Sequence, residues 1–323
     1  MMIDLALSDD QRMIEDGVRD FLQDRLPVER LREAKNHGGA AERTLWQELS
    51  GLGLFGLGSA EQDGGLGLGL AEEALAARAL GLVLGSPIAL AQLAAPHFAT
   101  DAALRAALVA GTARAAFANY LGDGLAHLID GGDAQHVLLL SPEGAMRLPR
   151  SALGEAQVAA GMDETVTLAR VSAPTDLTSR CTAADRTSLL ISAYLTGIAQ
   201  AVTTMAVDYA KTREQFGQPI GAFQAIKHQC ADMASRAAAA EAQCFYTAVG
   251  FGNGLDDASE IAAARMLATR AAIDNAKSNI QIHGGMGFTA ECDAHLFLKR
   301  AHLMILLGTS RAAERQRLLG LGA

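Results

Sequence analysis

Apolar residues recur at three- and four-residue intervals over most of this chain, the spacing of one face of an α-helix. Near the start, Ile14, Val18, Phe21 and Leu22 follow it, and Ser8 with Gln11 three residues later is a capping-box signal for that helix. Trp46, Leu49, Leu52 and Leu54 end a second helix in Gly-rich sequence. Residues 63–69, DGGLGLG, read as a flexible turn; an Ala/Leu/Glu helix follows from about Leu70 to Leu80, with Gly81 as its stop signal. Near residue 112 the pattern changes. AFANY, AHLID, QHVLLLS, AMRLP and TVTLARV are short, partly β-branched and separated by turn residues such as SPEG, which predicts a small β segment to about residue 175. From about Asp185 helical spacing returns over 187–211, 223–250 and 258–282, with breaks at FGQPIG, FGNGLDD and HGGMGF, and a last helix starts near Ser310. Such lengths suit antiparallel helices in a bundle. The expected organisation is mainly α: a helical domain over 1–110, a short β domain over 111–180 and a helical bundle over 181–323.

Composition agrees with a packed, mostly helical protein. Half of the 323 residues are hydrophobic and 20% are charged, enough apolar surface to offset chain entropy. The net charge of −9 disfavours broad electrostatic binding to nucleic acid or anionic membrane, leaving local basic clusters for an anionic ligand. The opening MMIDLALSDDQRM has no basic or apolar targeting region, and no stretch reaches roughly 18 uncharged apolar residues. The expectation is therefore a cytoplasmic protein with no membrane span. Cys181, Cys230, Cys244 and Cys292 lack CxxC spacing, which predicts reduced thiols rather than a disulfide framework or a zinc site.

Residues 51–56, GLGLFG, match GxGxxG, but that fingerprint needs a preceding strand, and LWQELS looks helical; the glycines read as helix terminators. His228, His283, His295 and His302 show no HExxH arrangement and read as structural or surface histidines, so no metal is expected. Ser192 and Tyr194 read as helix-face residues.

Two segments carry more specific chemistry: KTREQFGQPIGAFQAIKHQCADM (211–233) and NIQIHGGMGFTAECDAHLFLKRAHLMILLGTS (279–310). Arg213 ends a helix beside a tight turn at Gly217, where a guanidinium is placed for a bidentate contact to a pyrophosphate. Phe216, three residues on, is suited to stack on a flat ring. HGGMG, residues 283–287, brings bare backbone to a turn where amide N–H groups can approach phosphate oxygens. The plainer alternative is a helix-ending arginine and ordinary turn glycines.

Together with WQELSGLGLFGL and AEQDGGLGLGLAEEALAARALG, these segments closely resemble the acyl-CoA dehydrogenase family, over nearly the whole chain. The resemblance implies an N-terminal helical domain, a central β domain and a C-terminal four-helix bundle. It implies FAD as cofactor. Residues matching Arg213, Phe216, Gln224, Gln281 and Gly285, with Gly284 beside them, bind the adenosine-diphosphate half of a FAD held mainly by a neighbouring subunit. The positions matching Thr309 and Arg311 touch FAD from the GTS turn, and many members carry Gln or Glu where this chain has Arg311. The family removes two hydrogens across the α and β carbons of an acyl-CoA thioester. A carboxylate takes the α-proton and flavin N5 the β-hydride, and electrons leave to an electron-transfer flavoprotein or similar acceptor.

The chain departs from that pattern in two places. The usual catalytic Glu position, just before GTS, is Leu307, and the alternative position used by some members is Thr187. Neither is a base at neutral pH. Asp185 is near, but two residues along a helix turn a side chain by about 200°, so it reads as an N-terminal cap, with proton acceptor as the rival role. The central segment also lacks a TEPxxGSD-like loop and a WITN-like strand, the parts that line the flavin ring and acyl chain. The resemblance therefore narrows to the shorter, base-lacking subunit of heteromeric bacterial acyl-CoA dehydrogenases, which pairs as α2β2 with a longer homologous subunit bearing the Glu and acts on steroid side-chain or other bulky acyl-CoAs. Two alternatives stay open: a homo-oligomer with a non-standard base, and a flavin-free scaffold on the same fold. Lys299–Arg300 reads as a solvated helix face, with a CoA-phosphate contact as the alternative.

Overall fold

The structure, a computed structural model, describes residues 5–33, 37–176, 181–252 and 257–320. The residues around the expected boundary at 180, and most of the FGNGLDD break, lie outside the described residues. Helix α1 (Asp9–Arg25) is capped as its sequence predicts: the Gln11 amide donates to Ser8 Oγ at 3.1 Å and the Ser8 amide to Gln11 Oε1 at 3.0 Å. Short helices α2 (Ala40–Thr44) and α3 (Trp46–Gly51) follow, so GLGLFG emerges from a helix and not from a strand. Helix α4 spans Leu70–Leu82, α5 Pro87–Ala94 and α6 Ala102–Val109.

Gly81 does not stop α4, which continues through it. Its role is a close crossing with Gly197 of α7 (Thr182–Thr212): a Cβ on Gly81 would lie 2.0 Å from the Tyr194 carbonyl oxygen, and one on Gly197 2.1 Å from that of Arg78. The missing side chains let the two backbones touch.

The central segment forms six strands, β1 (Ala115–Gly122), β2 (Leu125–Ile129), β3 (His136–Ser141), β4 (Gly144–Pro149), β5 (Gln157–Ala159) and β6 (Leu168–Ser172). Their order is β4-β3-β1-β2-β6-β5, with β1 and β3 parallel and the other pairs antiparallel. Side chains alternate across this sheet. Phe117, Leu138 and Leu140 join the core shared with the helices, while Ala116, Ala118, Val137 and Leu139 build a second core on the far face.

Beyond α7, a two-residue hairpin of β7 (Glu214–Gln215) and β8 (Gln218–Pro219) leads to α8 (Gln224–Gly250), α9 (Asp257–His283), α10 (Ala294–Met304) and α11 (Arg311–Leu318). By length and hydropathy α7 would pass for a membrane-crossing helix, but 67% of its most apolar window is buried, as in the core helix of a helical bundle. It packs against α4, α8 and α9 and forms the axis of the core.

The expected solvated face at Lys299–Arg300 fails at Arg300, which is 1% exposed. Its Nε donates to Asp163 Oδ2 at 2.6 Å, Nη2 to Thr165 Oγ1 at 2.8 Å, and Nη1 to the carbonyls of Leu84 and Gly85 and to the Tyr194 hydroxyl. One guanidinium thus ties α10 to the α4–α5 connection, to the segment between β5 and β6, and to α7. Burial opposes its charge, but Asp163 and Tyr194 outweigh that cost and its pKa is raised. Tyr194 and Ser192, expected on a helix face, are both buried.

Candidate functional site

The predicted site residues separate into two groups at opposite ends of α7. One group lies where α7 and α9 end and α8 begins. Arg213 caps the C-terminus of α7, is exposed, and its guanidinium makes no ion pair with the described residues. Phe216 sits in the turn between β7 and β8 with φ +54°, a conformation disfavoured for any residue bearing a Cβ. Its ring is 92% exposed and meets Phe223 edge-on at 6.1 Å. The hairpin is held from below by the Ile220 amide donating to the Arg213 carbonyl at 2.7 Å. A large aromatic ring kept outside in a strained turn has no packing role within the chain, which makes this outlier a candidate contact residue. Gln224 opens α8, Gln281 stands in the last turn of α9, and Gly284 and Gly285 follow in a 3₁₀ turn; all four are exposed. A Cβ at either glycine would meet nothing within 4 Å, so a ligand can approach the bare backbone there closely. The two halves of this end are joined by His283 stacking on Tyr209 at 4.1 Å. This arrangement offers a cation, amide donors, open backbone and a flat ring, which fits the nucleotide half of FAD.

The second group surrounds a cleft at the N-terminal end of α7. Leu307, Thr187 and Asp185, the three positions weighed for a base, line the same cleft with Leu140, Ala145 and Arg317. Two of them offer no proton acceptor: Leu307 is apolar and buried, and the Thr187 hydroxyl donates to the Ala183 carbonyl at 2.7 Å. Asp185 is not the N-cap. That position is Cys181, which makes no capping hydrogen bond with its side chain, and Asp185 lies within the first turn. There its carboxylate suits the positive end of the helix dipole without capping it. Thr309 and Arg311 belong to this end too, Thr309 donating to Glu314 Oε1 and Arg311 standing exposed at the start of α11. Helix α7 has 31 residues, about 45 Å at 1.5 Å per residue, so a single extended dinucleotide does not reach both groups in one chain.

The cleft is partly open to solvent and holds only about 30 Å³, room for a water molecule or two and less than a flavin ring needs. Arg265 of α9, 1% exposed, supports its floor by donating from Nη2 to the carbonyls of Met304 and Leu307 at 2.9 and 3.1 Å. Burial lowers this guanidinium to about 10, against the opposing charge of Glu314. A larger open groove of about 850 Å³ runs along β2, β5 and β6, but none of the predicted site residues lines it. Arg265, Glu314, Arg317 and the Tyr209–His283 stack were not singled out in the sequence for these roles; each acts through partners far away in the chain.

Next to the cleft, Glu73 of α4 is 1% exposed; it accepts from Arg186 Nη2 at 2.6 Å and is bonded to His97 Nε2 at 2.6 Å. Burial alone would raise this carboxyl, but His97 and Arg186 reverse the shift and hold it below its ordinary value. A depressed carboxyl contributes stability that is fully present above the unfolded pKa, about 4.3, and is lost as pH falls through the folded value. The expected result is an acid limb in a plot of Tm against pH that begins below about pH 4.3. The Glu73→Gln variant should lower Tm at neutral pH and flatten that limb; an unchanged limb would remove Glu73 as its source.

The acyl-CoA dehydrogenase N-terminal domain model matches residues 8–110 and the C-terminal domain model residues 181–317. Over 285 residues the chain is 35% identical to acyl-CoA dehydrogenase FadE34 of Mycobacterium tuberculosis, covering 81% of this chain and 40% of that protein. Over 306 residues it is 31% identical to acyl-CoA dehydrogenase IpdE2 of the same organism, covering 91% of each. Among solved structures, the Tcur3481-Tcur3483 steroid acyl-CoA dehydrogenase G363A variant superposes with a TM-score of 0.81 at 22% identity, covering 97% of both chains. PigA with FAD and proline superposes with a TM-score of 0.82 at 18% identity, covering 99% of this chain and 100% of that one. At these identities the structural likeness shows the fold alone.

Proposed function

The chain belongs to the acyl-CoA dehydrogenase family, and from that premise we propose that it is the base-lacking subunit of a heteromeric, FAD-dependent acyl-CoA dehydrogenase. Its partner is a longer homologous chain, paired with it as α2β2, that supplies the catalytic Glu and the flavin-ring pocket. The bound flavin supplies the hydride acceptor for dehydrogenation across the α and β carbons of an acyl-CoA. This chain grips the adenosine-diphosphate end of that FAD. Arg213 meets the pyrophosphate, the bare backbone at Gly284 and Gly285 lets phosphate oxygens approach, Gln224 and Gln281 add polar contacts, and Phe216 lies against the flat part of the nucleotide. Thr309 and Arg311, at the far end of α7, contact a different region of the assembly.

The observation that carries this reading is the division along α7: exposed Arg213, Gln224, Gln281 and glycine backbone at one end, and at the other a narrow cleft whose base positions are Leu307 and Thr187. Asp185 lines that cleft and is the proton acceptor of the rival homo-oligomer reading, but the enclosed volume leaves no room for a thioester beside it. A steroid side-chain or other bulky acyl-CoA suits an assembly in which one of two flavin sites has been given up, because the idle subunit can yield space to the acyl group. The solved steroid enzyme of the same fold supports that substrate class. An electron-transfer flavoprotein or similar acceptor completes the cycle.

Expressed alone, the chain should purify colourless. Co-expressed with a longer homologue carrying the missing Glu, it should co-purify yellow with about one FAD per heterodimer. Stoichiometric FAD on the lone chain together with full dehydrogenase turnover would overturn the proposal.

A further inference from the structure

We propose that the turn between α10 and α11 is a resident plug, which closes this chain's own cleft to a flavin ring by packing and not merely by lacking a base. The inference deepens the partner-dependent reading and rests on it for its functional meaning, but its geometry stands by itself. Leu307 is 2% exposed and occupies the position from which a carboxylate would have to reach substrate. The next residue, Gly308, adopts φ +71°, and a Cβ there would sit 3.2 Å from that of Leu140, so the turn rests directly on β3. Its amide donates to Asn119 Oδ1 of β1 at 2.9 Å. From the other side Arg265 holds the carbonyls of Met304 and Leu307. Across the mouth, Arg317 of α11 donates to the Pro142 carbonyl in the β3–β4 turn. The turn is thus fastened to the sheet, to α9 and through α11 to the sheet again, and the side chain at 307 points into protein.

Two consequences separate a plug from an open pocket that has lost its base. An open pocket would tolerate a glutamate at 307, hydrated and near-neutral for stability. A plug would force that carboxylate into a space of about 30 Å³ lined by Leu140, Ile191 and Arg317, where it cannot be hydrated, and overpacking with desolvation is destabilising even beside a guanidinium. An open pocket would also accept a bare flavin ring, whereas a plug excludes it whatever the nucleotide face does.

The experiment uses the full chain, alone and with its co-purified partner. The Leu307→Glu variant should lower Tm by roughly 2–6 °C and restore no dehydrogenase activity, whereas Leu307→Met, similar in volume, should melt like the parent. The unmodified lone chain should give no saturable quenching of lumiflavin fluorescence, a probe with the ring but no nucleotide tail. A Leu307→Glu chain as stable as the original, or saturable lumiflavin binding that Leu307→Trp abolishes, would overturn the plug. Binding of ADP, measured in parallel by calorimetry, reports on the Arg213 end alone. Its loss would count against the proposed function and leave the plug standing.

Discussion

Arg300→Ala should cost about 3–5 kcal/mol of stability, the range for breaking a buried, hydrogen-bonded ion pair from one side. Domains of this kind hold only about 5–15 kcal/mol in total, so the variant is expected to be largely insoluble or to melt roughly 4–8 °C lower. Removing the side chain leaves the Asp163 carboxylate buried with only Thr165 to satisfy it, and it strips a donor from the carbonyls of Leu84 and Gly85. Arg300→Lys should rescue little, because one ammonium cannot serve Asp163, Thr165, Tyr194 and two carbonyls in the directions that a planar fork does. Thermal melts of Arg300→Ala, Asp163→Ala and the double variant form the check. The double variant should be far less destabilised than the sum of the two, since neither charge is then left alone. A Tm within a degree or two of the parent for Arg300→Ala would show that the network does not hold the three regions together.

Arg213→Ala should have the opposite character: no loss of fold and a large loss of cofactor. The side chain is exposed and unpaired, so its removal leaves the melting temperature of the lone chain unchanged. Charge-assisted hydrogen bonds contribute about 1.5–3 kcal/mol each, so FAD binding to the co-purified pair should weaken by roughly 10- to 100-fold. Titrating FAD into the stripped heterodimer and following flavin fluorescence measures it. Arg213→Lys should recover part of the affinity through charge without the bidentate geometry. If the pair retains FAD equally well without this guanidinium, the nucleotide grip lies elsewhere.

Local signals were legible wherever the physics is local. Ser8 and Gln11 cap α1 because the capping bonds span three residues. Helical and strand periods located α7, α8, α9 and five of the six strands because burying one face imposes that spacing directly on the sequence, whereas the three-residue, mostly exposed β5 is too short to show a period. The turns at Arg213–Gly217 and at HGGMG were readable for the same reason: their geometry is set by neighbours a few residues away. Gly81 misled because the same residue type that ends helices also lets helices touch, and only the position of Gly197, more than a hundred residues later, distinguishes the two uses.

The amino-acid sequence by itself determined the element types, the family and the absence of a glutamate at positions 307 and 187. Tertiary structure alone decided that Arg300 is an internal tie, that Asp185 lines a cleft and is not at the N-cap position, that the two sets of predicted site residues stand a helix-length apart, and that the cleft holds only about 30 Å³. The physical reason is range. Periods, caps and turns are interactions between residues a few positions apart. Burial, pairing of charges and the volume of a cavity depend on which distant segments meet, and that information is present in the chain only as the sum of its packing.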